Sequence, residues 1–129
     1  MERRRLPSGS PSEPVSGFSR AVGAGHHGPV AGTAAVMPAG GDPPPDAYGQ
    51  ARRVLEIVLG ARAEAGAGAQ DVVRTRAFLV RAEDWEEVGR AHGEVFGDVR
   101  PASTMIVVGG FLDPRWVVEM EADAVLPDA

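Results

Sequence analysis

The segment Val117-Val118-Glu119-Met120-Glu121-Ala122-Asp123-Ala124-Val125 alternates apolar and acidic residues. A two-residue period reads as a β-strand, because successive strand side chains point to opposite faces. Glu119, Glu121 and Asp123 therefore project together, while Trp116, Val118, Met120, Ala122 and Ala124 project the other way. One face of the resulting sheet is a core surface. The other carries carboxylates that repel one another unless water, arginine or a ligand answers them.

The rest of the chain supplies a sheet for this strand to join. Arg100 to Val108 reads as a neighbouring strand, linked to it by the turn-rich Gly109–Pro114. Phe18–Val22 and Gly28–Val36 read as two short strands around a Gly-rich turn, with a Gly- and Pro-rich loop at Met37–Pro45. A helix begins near Asp46, with Tyr48, Ala51, Leu55, Val58, Leu59 and Arg62 on one face, and ends at Gly66 and Gly68. Val72–Val80 reads as a strand. A second helix follows, capped by Asp84 with Glu87 three residues on, and buried through Trp85, Val88, His92, Val95 and Phe96.

The order β-β-α-β-α-β-β predicts an α+β sandwich, a mixed sheet with two helices on one face. With Val73, Phe78 and Val107 the sheet leaves apolar surface on both faces, which predicts oligomerisation. At 129 residues the chain suits one domain, assigned to residues 15–129. The Arg-, Ser- and Pro-rich residues 1–14 read as a flexible N-terminal arm. The chain has no cysteine, which excludes disulfides and thiolate metal sites and favours a cytoplasmic setting. A net charge of −5 argues against nucleic acid as a partner, and no apolar run is long enough to span a membrane.

The carboxylates admit two readings. Held near a cleft, one of them can polarise or deprotonate water as a general base. Alternatively, all three face solvent or pair with Arg74 and Arg76 across the strands, the commoner state of a charged strand face. Ser103 and Thr104, where a loop enters a strand, either bind a substrate or satisfy backbone groups. No Gly-x-Ser-x-Gly elbow surrounds Ser103. His26 and His27 are adjacent and point apart, so no metal site is expected. His92 falls on an apolar helix face, where core packing is the commoner role. The glycines form no phosphate loop and the chain lacks lysine, so no cofactor is expected.

Taken together, Val30-Ala31-Gly32-Thr33, Asp71-Val72-Val73-Arg74-Thr75, Arg100-Pro101-Ala102 and Val118-Glu119-Met120-Glu121-Ala122 resemble the Rid family, the reactive intermediate deaminases also called the YjgF family. The resemblance spans about residue 15 to the end. It implies a Rid fold, similar to chorismate mutase, assembled as a homotrimer with a ligand cleft at each subunit interface. Well-known members hydrolyse reactive enamines and imines, such as 2-aminoacrylate, to a keto acid and ammonia. In them an arginine directly after the Pro-Ala grips the substrate carboxylate in a bidentate contact. A glutamate on the last strand orients the attacking water.

Carried over residue by residue, the resemblance makes Glu121 the water-positioning glutamate and Gly32 the backbone lining the cleft. Phe18 stands where those members have a tyrosine, and Gly89 where they have an asparagine. Ser103 stands at the arginine position, which removes a charge-assisted contact of about 1.5–3 kcal/mol. The chain therefore resembles a subgroup lacking that arginine. Arg20 and Arg100 are the nearest arginines in sequence to replace it, and Thr104 adjoins Ser103. The expected function is processing of a small imine, enamine or related reactive metabolite, with Glu121 and Ser103 in the chemistry. Deamination of 2-aminoacrylate itself is not expected. The alternative is a non-catalytic metabolite-binding or interaction module. RNA cleavage, an older family label, finds no basic stripe here.

Overall fold

In the computed structural model, residues 2–127 are described. The elements run β1 (Arg3–Leu6), α1 (Glu13–Ser16), β2 (Ala21–Ala24), β3 (His27–Thr33), α2 (Ala47–Glu64), β4 (Val72–Leu79), α3 (Trp85–Phe96), β5 (Ala102–Val107) and β6 (Val118–Val125). Among the described residues the strands form one sheet in the order β1-β2-β3-β6-β4-β5. The β4–β5 pair is parallel and the other neighbours are antiparallel. A parallel pair needs a crossover, and α3 provides it. This is the expected α+β sandwich with a mixed sheet.

The alternation in β6 decides the layering. Val118, Met120, Ala122 and Ala124 are buried beneath the helices, while Glu119, Glu121 and Asp123 are half-buried on the other face. From α2, Ala47, Ala51, Val54, Leu55 and Val58 enter the same core, and from α3, Val88, Ala91 and Phe96. Gln50 is buried with them. Its Nε2 donates to the Pro44 and Arg115 carbonyls at 2.9 and 2.8 Å, and its Oε1 accepts from Val117 N–H at 2.9 Å. One amide thus ties α2 to the segment entering β6.

Three expectations change. Residues 1–14 are not a free arm throughout, because Arg3–Leu6 pairs antiparallel with β2 and Leu6 packs against the core. The open edge of β2 offers a ladder of unpaired backbone groups, and β1 occupies it. Trp85, expected in the core, is 56% exposed because it stands at the first turn of α3, outside the layer that Val88 and Phe96 fill. Asp84 makes no side-chain cap. Arg81 holds its carboxylate at 3.1 Å instead.

Candidate active site on the acidic face of the sheet

Register sorts the three carboxylates of β6. Glu121 lies opposite Arg76 of β4, and Asp123 opposite Arg74. Arg76 Nη1 donates to Glu121 Oε1 at 2.7 Å and stands 3.8 Å from Asp123 Oδ2. These two acids have therefore found cations across the strand. Glu119 has not, because its β4 partner is Phe78.

On the β3 side the ladder shifts between Val30 and Thr33, and the irregularity brings Gly32 beside Glu119. A β-carbon at Gly32 would sit 3.1 Å from Glu119 Oε1, so glycine is what permits the carboxylate its close approach. Arg20 completes the group. Its Nη1 donates to Thr33 Oγ1 at 2.8 Å and to the Gly32 carbonyl at 3.4 Å. Burial raises the Glu119 carboxyl above its ordinary range, with the Arg20 charge opposing the rise. Burial likewise lowers Arg20, against the pull of Glu13 and Glu119. A carboxyl pushed upward beside a cation and open backbone is suited to accept a proton from water and return it.

The structure groups the expected site residues differently from the sequence. Gly32 and Arg20 come together, but the carboxylate between them is Glu119, and Glu121 is held by Arg76. Phe18 is 41% exposed, two residues before Arg20. Thr104 pairs with Arg76 on the acidic face, whereas Ser103 pairs with Thr75, whose other neighbour is Ala122 on the helix face. Ser103 and Glu119 therefore occupy opposite faces of the sheet. Arg100 sits at the α3–β5 turn with φ +54°, its N–H donating to the Phe96 carbonyl at 2.9 Å. Gly89 faces the Met105 methyl, which a β-carbon there would meet at 3.7 Å.

One arrangement carried no sequence signal at all. Thr75 Oγ1 lies 2.8 Å from His92 Nε2 and donates to Ser103 Oγ at 2.8 Å. Three residues from β4, α3 and β5 thus form a single polar chain that ends on an exposed hydroxyl. Cavities of about 410 and 350 Å³ lie toward the β1–β2 edge, and neither is lined by Glu119 or Ser103. Among the described residues no cluster of three or more His, Asp or Glu side chains gathers to hold a metal ion. No described helix is long and apolar enough to cross a membrane.

Residues 9–126 match the family described as Endoribonuclease L-PSP. The chain belongs to the Rid/YjgF family. It is 44% identical to an uncharacterized protein of Streptomyces coelicolor, over 94% of this chain and 90% of that one. A RutC family protein of Pyrococcus abyssi is 31% identical, over 87% of this chain and 88% of its own length. A crystal structure of a Mycobacterium tuberculosis member of the YjgF/YER057c/UK114 family superposes with a TM-score of 0.87 at 38% identity, covering 97% of this chain and all of that one. The Rid/YjgF fold is the one read from the strand order and motifs.

Proposed function

We propose that this Rid/YjgF protein hydrolyses a small imine or enamine in a cleft between subunits of a homotrimer, working in the cytoplasm. The observation that carries the reading is Glu119: a half-buried carboxyl without a cation on the facing strand, pressed against the Gly32 backbone and within the field of Arg20. Glu119 rather than Glu121 positions the water, because Glu121 is engaged by Arg76. Water adds to the C=N carbon while Glu119 takes its proton. Glu119 returns that proton to the nitrogen to give a carbinolamine. The carbinolamine's hydroxyl proton passes to the nitrogen as the C–N bond breaks, so that ammonia and a carbonyl compound leave; an enamine reacts as its imine tautomer.

Ser103 binds the substrate from a second subunit, since within one chain it lies on the opposite face of the sheet from Glu119. The edge strand β5 supports such an assembly. Met105, Ile106 and Val107 are 37, 42 and 54% exposed in the single chain, a surface that a neighbouring copy would cover. Ammonia release from imines generated in situ by an amino acid oxidase tests the reading. Activity present in the wild type and absent in Glu119→Gln is expected. Full activity in Glu119→Gln would overturn it.

A further inference from the structure

Ser103 is an exposed hydroxyl, yet it does not stand alone. Thr75 Oγ1 lies 2.8 Å from Ser103 Oγ and 2.8 Å from His92 Nε2, and when His92 carries a proton on Nε2 it donates to Thr75, which leaves the threonine hydroxyl to donate to Ser103. With His92 protonated on Nε2, every donor in the row points outward: His92 to Thr75, Thr75 to Ser103, and Ser103 toward whatever occupies the space beyond β5. Hydrogen bonds aligned in this way polarise one another and strengthen the terminal donor. The inner end is a group able to carry charge. The ring of His92 is half-buried, tilted against Phe96 at 4.7 Å between centroids.

We propose that His92, acting through Thr75, backs Ser103 with positive charge, so that binding of a ligand carboxylate at Ser103 is coupled to uptake of one proton by His92. The inference rests on the reading of Ser103 as part of the ligand cleft. A single outward O–H backed by one charge matches a small monoanion, whereas a phosphate group calls for several donors. His92 and Thr75 are positioning residues, because neither reaches the ligand. Their surroundings leave the histidine free to respond. Burial alone acts on its titration, lowering it, and no carboxylate or guanidinium from α2, α3, β4 or β5 contributes. An anion at Ser103 would raise it again, and by linkage acid would tighten the anion.

The probe is pyruvate, with uncharged pyruvamide as control, followed by calorimetry between pH 7.5 and 5.5 in buffers of different ionisation enthalpy. Wild-type protein should bind pyruvate several-fold more tightly at the acid end, with up to one proton taken up, and pyruvamide should show no slope. His92→Gln and Thr75→Val should flatten the pyruvate slope, and Thr75→Ser should restore it. The chain has only three histidines, so the His92 ring signal can be followed directly by NMR, and pyruvate should move its titration upward. Absence of pyruvate binding, or a slope that survives in both His92→Gln and Thr75→Val, overturns the inference. Failure of the catalytic reading shows separately, as wild-type protein that releases no ammonia from any imine while the pyruvate slope persists.

Discussion

Glu121 Oε1 accepts a hydrogen bond from Arg76 Nη1 at 2.7 Å, directly across the β4–β6 ladder. The same strand two residues earlier presents Glu119 to Phe78 and Gly32. Identical side chains on one face thus occupy different electrostatic settings. Glu121→Gln should leave imine turnover within a factor of about two, and the loss of a partly exposed cross-strand pair should lower stability by about 0.2–1 kcal/mol. Paired ammonia assays and urea unfolding would check both numbers.

Glu119→Gln should reduce turnover by about 10²-fold or more, the usual contribution of a positioned base. Its effect on stability has the opposite sign. The folded protein holds the Glu119 proton more tightly than the unfolded chain does, so the contribution of this group is fully present below its ordinary value of 4.5 and is lost as pH rises through the folded value. Glutamine does not titrate. The variant should therefore gain stability relative to wild type as pH increases from 4.5 to 7.5, which urea titrations at the two pH values would show.

Gly32→Ala tests the close approach. A β-carbon 3.1 Å from Glu119 Oε1 forces the carboxylate to shift by a few tenths of an ångström or more. Turnover should fall at least tenfold while unfolding changes little, since the atom that yields is the end of a flexible side chain. Wild-type kcat in Gly32→Ala would count against the placement of Glu119.

Burial lowers His92, so the unfolded chain binds this proton more readily than the folded protein. Stability from this group is complete above its ordinary value of 6.5 and declines as pH falls through the folded value. His92→Gln should flatten this part of the stability profile below pH 6.5, measurable by thermal unfolding across buffers.

Gln50→Leu removes the partner of three backbone groups, the carbonyls of Pro44 and Arg115 and the N–H of Val117. The expected loss is on the order of 3 kcal/mol, because buried groups left unpaired retain their full desolvation penalty. Activity should fall along with stability, since Val117 leads into the strand that carries Glu119.

Much of the architecture was legible in the chain itself. The alternation from Val118 to Val125 determined a strand with a core face and an acidic face, and the spacing of Ala51, Leu55 and Val58 determined a helix lying on that sheet. Periodicity is a local property, and burial follows it directly. Which carboxylate does chemistry was not local. Glu119 and Glu121 are equivalent in the pattern, and they part only because the β4 register sets one against Phe78 and the other against Arg76, while the β3 irregularity delivers Gly32 to the first. Likewise, Thr75, His92 and Ser103 are scattered over 28 positions of sequence and meet only where a strand, a crossover helix and a parallel edge strand converge. Charge pairing and hydrogen bonding depend on neighbours in space, and only the tertiary structure decides who those neighbours are.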